Sequence, residues 1–348
     1  MGVTKSNPGN YFEDFEPGRD LVHATPLTVS HGDISLYRAL TGSRHAMFSS
    51  ETFARDNGFD RMPLDPLLAF HVVFGKTVPD ISLNAVANLG YAEGVFPIGV
   101  YPGDTLHAVS TVIGRKENSS GKTGIVWVRT RGLNQNDEEV MSYVRWVMVH
   151  KRDAASPAPQ PVVPELQPVV AGDSLKCSWS YANWDDALSG SPHRFEDYDI
   201  GEQIDHVDGM TVEEAEHQIA TRLYQNTAKV HFDAHAQAAS RFGKRLIYGG
   251  VVISIARALS FNGLANAAEM MAINGGTHAG PLFAGDTVYA WSEVLDKAEL
   301  SETVGALRLR LVAARNHPCS DFPLTGGDGT YHPDVLLDFD YWAAIPRR

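Results

Sequence analysis

A carboxamide and an imidazole five positions apart, Asn226 and His231, are the side chains of this sequence best suited to acid–base work. They lie in the stretch Gln225-Asn226-Thr227-Ala228-Lys229-Val230-His231-Phe232. Asn226 can donate and accept hydrogen bonds but cannot ionise, whereas His231 can take a proton near neutral pH. Such a pair can hold a water molecule between an orienting group and a base. Asp233 and His235 follow closely, and His231 with His235 has the i, i+4 spacing of a helical metal pair. No glutamate follows the first of these histidines and no third ligand is placed, so the expectation is no metal. The plainer alternative is that this is one more satisfied pair among the chain's 14 histidines.

The elements that must position the pair come in two copies. A Pro-rich segment, residues 154–168, lacks the amide donors for a helix or strand and reads as an extended linker. Across it the sequence repeats. Phe12-Glu13-Asp14-Phe15 answers Phe195-Glu196-Asp197-Tyr198, an offset of 195 − 12 = 183. Tyr101-Pro102-Gly103-Asp104-Thr105-Leu106 answers Phe283-Ala284-Gly285-Asp286-Thr287-Val288, an offset of 283 − 101 = 182. Each copy opens on an acidic helix start: Ser30 or Asp33 as cap in the first, Thr211 with Glu214 in the second. Each then has a helix apolar on nearly every face, at 64–76 and 248–261, which must be buried. Residues 123–130 and 139–150 read as a hairpin around Asn134-Gln135-Asn136-Asp137. Leu307, Leu309 and Leu311 alternate with arginines, and Val335, Leu337, Phe339 and Tyr341 alternate likewise. A buried helix followed by antiparallel strands implies an α+β arrangement with a sheet curled around the helix. The expected units are a copy at 1–153, a linker at 154–173 and a second copy at 174–348.

Composition narrows the function. With 348 residues and 43% hydrophobic content, the chain can bury cores of ordinary size. A net charge of −13 argues against nucleic acid as a partner, yet leaves room for a local basic pocket. Two cysteines, Cys177 and Cys319, make neither a disulfide framework nor a zinc site, so a reducing, cytoplasmic setting is expected. The polar start has no apolar core of a signal peptide, although Met1 to Ser6 fit a loose acylation pattern. The longest apolar run is too short to span a membrane.

Several stretches carry a family resemblance: residues 82–91 (SLNAVANLGY), 116–124 (KENSSGKTG), 143–149 (YVRWVMV), 225–232 and 258–266 (ALSFNGLAN). Through them nearly the whole chain resembles the MaoC-like hydratases and, more narrowly, the mesaconyl-CoA hydratase family. That resemblance implies a tandem hotdog fold, in which each antiparallel sheet wraps one long central helix. Hydratases of the superfamily carry an Asp, four intervening residues and a His. Here the His falls on His231 and the Asp position on Asn226. In copy one the same positions are Ser43 and Phe48, so the resemblance implies one active site per chain.

The implied reaction is reversible hydration of mesaconyl-C1-CoA to β-methylmalyl-CoA, with coenzyme A part of the substrate and no further cofactor. His231 would be the base, and the amide oxygen of Asn226 would orient the water. The superfamily's thioester-binding amide falls on Gly250, with Tyr248 and Gly249 beside it. Free N–H groups and the helix dipole suit that task, though two glycines can equally serve close packing. The second proton donor has no assignment. Arg44, His45, Arg222, Lys229 and Arg257 are the candidate cations for the substrate's free carboxylate. Family members usually assemble further, and a homodimer is expected. Competing functions are a straight-chain (R)-specific enoyl-CoA hydratase, a thioesterase and a non-catalytic acyl-CoA-binding scaffold.

Overall fold

The computed structural model describes residues 5–348; residues 1–4 of the acylation pattern lie outside the described residues. Ten strands form one antiparallel sheet: β1 (Asp20–Thr28), β2 (Ala85–Val95), β3 (Thr105–Glu117), β4 (Thr123–Leu133), β5 (Glu139–His150), β6 (Gln203–Thr211), β7 (Glu269–His278), β8 (Thr287–Glu299), β9 (Val304–Arg315) and β10 (Val335–Pro346). Their order is β1-β3-β4-β5-β2-β7-β10-β9-β8-β6, which reads the same from either end once the second copy's strands are matched to the first's. The copies meet where Gly94 pairs Ile273 and Val95 pairs Ala272. This is a double hotdog, α+β as expected.

Local chemistry explains the elements. The first helix, α1 (His31–Thr41), starts on Ser30, whose hydroxyl accepts from Asp33 N while the Asp33 carboxylate returns to the Ser30 amide. Its counterpart α3 (Glu214–Leu223) is capped by Glu213 with Glu216, not by Thr211 with Glu214. Thr211 still belongs to β6, where its hydroxyl bonds Thr287. The Gly-Asp-Thr motif builds the same turn in both copies. The Asp104 carboxylate accepts from Tyr101 N at 2.8 Å and the Asp286 carboxylate from Phe283 N at 3.0 Å, with Gly103 and Gly285 at φ +100° and +90°.

The two apolar helices are α2 (Pro66–Thr77) and α4 (Gly249–Leu259). All of α2 is buried, as is α4 beyond Gly249. They cross at equivalent residues: His71 Nε2 meets Ser254 Oγ at 2.8 Å, and 71 + 183 = 254. The molecule therefore has an internal pseudo-twofold axis through this contact. The C-terminal end of each helix lies against the other copy. Gly75 of α2 lets the backbone of Tyr224 and Asn226 approach so closely that a Cβ would sit 1.7 Å from Tyr224 O. One hydrophobic cluster contains α2, α4 and strands of both copies, so the two halves share a core. Residues 154–168 lie outside any named helix or strand, and the linker is tied to both halves. Val162 bridges Arg115, and Val170 N donates to Asn274 Oδ1 at 2.8 Å.

Candidate active site

His231 sits on a single helical turn, Lys229–Phe232, after α3. Its Nδ1 bonds Leu246 O at 2.9 Å, which places the proton on Nδ1 and leaves Nε2 a free lone pair. Burial pushes its pKa down to about 4. The imidazole is therefore neutral at pH 7 and can accept a proton. Its ring lies 5.5 Å from the Tyr248 ring and 6.2 Å from His217.

Asn226 is buried, and its Oδ1 accepts from Ala228 N at 3.1 Å. The amide oxygen keeps a second lone pair beside this bond, and the NH2 is a further group that Asn226 can offer a ligand.

The N-terminus of α4 is bare. Tyr248 occupies the cap position with no side-chain capping bond. Its own amide donates to His217 Nε2 at 2.9 Å. The Gly249 and Gly250 amides, first in the helix, have no carbonyl one turn back to receive them. Both positions are also sterically closed to a side chain. A Cβ on Gly250 would lie 2.4 Å from Tyr248 Cε1 and 2.6 Å from His71 Cε1, and one on Gly249 would lie 2.4 Å from His278 Cε1. The close packing of the glycine pair is thus observed, and it does not exclude the oxyanion reading.

The site includes residues that the sequence pattern did not single out. His217 comes from α3, His278 from the end of β7 and Tyr91 from β2 of the other copy. The Tyr91 hydroxyl reaches His278 Nε2 at 3.3 Å. Burial, and next the charge of His231, push the His278 pKa down to about 4.

Several sequence candidates fall elsewhere. Arg44 lies 4.6 Å over the Phe261 ring and His45 meets the same ring edge-on at 5.4 Å, beyond the C-terminal end of α4 and so at the far end from Gly250. Arg257 is buried and spent on His45 Nε2, Ser260 Oγ and the carbonyls of Ala267 and Ala268. Arg222 and Lys229 are exposed. Asp233 caps the next turn through Ala236 N at 2.9 Å. Asp233 also has an extended conformation, so His231 and His235 sit on separate turns and do not share a helix face.

Copy one shows what the site becomes without its chemistry. At the start of α2 the cap is Asp65, whose carboxylate accepts from Leu67 N at 2.9 Å. Leu67 is the counterpart of Gly250, since 67 + 183 = 250. The amide left open in copy two is therefore occupied in copy one. A cavity of about 510 Å³ remains there, lined by Leu64, Pro66, Phe96, Tyr101, Trp179 and Glu269 among others.

Known proteins resemble this chain along its whole length. Residues 3–162 match the family model described as mesaconyl-CoA hydratase. Mesaconyl-CoA hydratase of Cereibacter sphaeroides is 62% identical over 99% of this chain and 100% of its own length. Beta-methylmalyl-CoA dehydratase of Chloroflexus aurantiacus is 57% identical over 99% of both chains. Among solved structures, a putative MaoC domain protein dehydratase from Chloroflexus aurantiacus superposes with a TM-score of 0.98 at 56% identity, covering 99% of this chain and 100% of that one. A conserved hypothetical protein of Mycobacterium tuberculosis with a double hotdog fold superposes at 0.78 with 23% identity, a likeness of fold alone. On the full-length identities and this fold, the chain belongs to the mesaconyl-CoA hydratase family.

Proposed function

We propose that this chain hydrates mesaconyl-C1-CoA to β-methylmalyl-CoA, reversibly, at the site around His231. Nε2 of His231 takes a proton from water as the oxygen adds to the β-carbon, the carbon that bears the free carboxylate. Electron density moves to the thioester oxygen, which the open amides at the start of α4 receive, Gly250 foremost. The α-carbon, which bears the methyl group, then takes a proton from His231. Burial makes the protonated imidazole a strong acid, so it passes this proton on readily. The NH2 of Asn226 donates to the water oxygen and holds it in line.

The observation that carries this reading is the pairing of a neutral His231, fixed through Leu246 O, with a helix start that nothing caps. Cytoplasmic location and assembly into a homodimer belong to the same reading. Among the described residues no helix is long and apolar enough to cross a membrane. The test is loss of the conjugated thioester absorbance on adding enzyme to mesaconyl-C1-CoA, with crotonyl-CoA beside it. Rapid hydration of the first supports the proposal. Turnover of crotonyl-CoA alone would move the assignment to a straight-chain hydratase, and turnover of neither to a binding scaffold.

A further inference from the structure

The substrate proposed above carries a carboxylate, and of the five cations named from the sequence Arg44, His45 and Arg257 lie at the far end of α4 while Arg222 and Lys229 are exposed. We propose that Arg145, contributed by copy one, supplies the positive charge that selects acyl groups bearing a free carboxylate. The inference rests on the hydratase reading of the site.

Arg145 stands in β5 and is fully buried. Its guanidinium donates to Thr77 Oγ1 at 2.7 Å and lies 4.3 Å over the Phe74 ring. Its Nε has no partner. The titratable groups around it are three phenols, Tyr143, Tyr91 and Tyr248. It forms no ion pair with Asp or Glu among the described residues. A buried guanidinium without a counter-ion is costly and rare, because a buried charge is ordinarily paired. Such a charge is a standing positive field waiting for an anion.

The field points at the site. The Phe74 ring under the guanidinium is 5.7 Å from the Tyr248 ring, and Tyr248 is 5.5 Å from His231. Phe74 is also 6.5 Å from Tyr91, whose ring is 5.9 Å from His278. Two rings therefore stand between Arg145 and each histidine, Phe74 and then Tyr248 or Tyr91. A carboxylate on the β-carbon, beside the point of water addition, would accept from the Tyr91 hydroxyl and face the guanidinium. A methyl group at that place would leave the cation unanswered.

The pseudo-symmetric position makes the contrast plain. The seventh residue of β5 is Arg145 and the seventh of β10 is Tyr341. Phe74 answers Arg257, since 74 + 183 = 257. The cation–ring pair is thus present in both copies with its members exchanged, Arg145 over Phe74 and Arg257 over Tyr341. Arg257, however, is answered by two backbone carbonyls, and the carboxyl groups of Asp65 and Glu269 feel its charge. Arg145 has neither, and it is the one that stands behind the aromatic rings of the proposed site.

The test compares the wild-type chain with Arg145→Met and Arg145→Lys. Calorimetry measures binding of succinyl-CoA against butyryl-CoA, which differ by a carboxylate for a methyl. Kinetics measures kcat/KM for mesaconyl-C1-CoA against tiglyl-CoA, which carries a methyl where the substrate carries its carboxylate. The wild type should prefer succinyl-CoA by at least about tenfold, and Arg145→Met should lose that preference and about a hundredfold in the mesaconyl-to-tiglyl ratio. Arg145→Lys, with the charge but not the fork, should fall between. The melting temperature of Arg145→Met should not fall, because an unpaired buried charge has gone. A wild type without the preference overturns the proposal, whether or not the variants fold. So does an Arg145→Met that keeps the preference, or one that loses both substrates equally with a lower melting temperature. Failure of the wild type to hydrate mesaconyl-C1-CoA would instead count against the hydratase reading, and the binding comparison would still judge Arg145.

Discussion

The same helix start appears twice in this molecule and is finished in two opposite ways. In copy one, Asp65 bends back to cap Leu67, with Ser43 and Phe48 where the reactive pair would be. The helix is satisfied by its own side chain, as most helix ends are. In copy two, Tyr248 holds the cap position but lends no side-chain acceptor, and two glycines leave the first amides bare. The stabilising bond of copy one is withheld in copy two, where a substrate oxygen can supply it. On the proposed reading, function takes the form of an unmade hydrogen bond.

Four changes break or sharpen that contrast, taken from the largest expected effect downwards. His231→Ala removes the proton acceptor and should lower kcat by roughly a thousandfold in the mesaconyl-C1-CoA assay, with little change in melting temperature. Tyr248→Asp transplants the cap of copy one; its carboxylate should occupy the Gly250 amide and cost about a hundredfold in kcat while stabilising the helix. A variant that keeps full activity with a carboxylate in that place would remove the oxyanion role from Gly250.

The third change is pH. The pKa of His231 is pushed down to about 4, so the base form persists far below the ordinary imidazole range. A profile of kcat/KM should therefore be flat between about pH 5.5 and 7.5, where an ordinary imidazole would show half-loss near 6.5. Stability follows a different course. Burial lowers His45 and His71 to about 3 and His206 to about 4, and all three stay neutral in the fold. Their contribution is complete above the unfolded value of about 6.5 and is lost as the pH falls below it, so the melting temperature should drop before activity does.

The smallest effect is expected at the cavity beside the helix start of copy one, which Glu269 of β7 lines. Burial raises Glu269 to about 8, and its Oε2 has no partner. A raised carboxyl pKa means that stability is lost as the pH rises through that value. Glu269→Gln should leave kcat within about twofold and raise the melting temperature by a few degrees at pH 9. A large loss of activity would give the cavity of copy one a part in the chemistry.

The sequence made legible what repeats and what alternates. Duplication, both buried helices and the β4–β5 hairpin all follow from spacing and periodicity. Residues brought in from afar were hidden. Tyr91 lies on β2, which carries glycines and an asparagine and shows no clean alternation, and it reaches the site only because β2 joins β7. His278 ends a strand that no pattern announced. Arg145 did leave a signal, as a single charge inside the apolar run YVRWVMV. On a strand exposed on one face that residue would be solvated; only the wrap of the sheet around α2 makes it an unpaired cation in the core. Thr211 was misplaced as a cap because a capping box spaced three residues apart fits Glu213 with Glu216 as well as Thr211 with Glu214.

The measurement closest to the centre is the number of substrate sites per chain. Calorimetric titration with succinyl-CoA, a saturated thioester that cannot be hydrated, counts them directly. With copy one capped by Asp65 and copy two open at Gly250, one molecule should bind per chain, and Tyr248→Asp should weaken that binding. Two molecules per chain, or one that survives Tyr248→Asp unchanged, would contradict the division of labour between the copies.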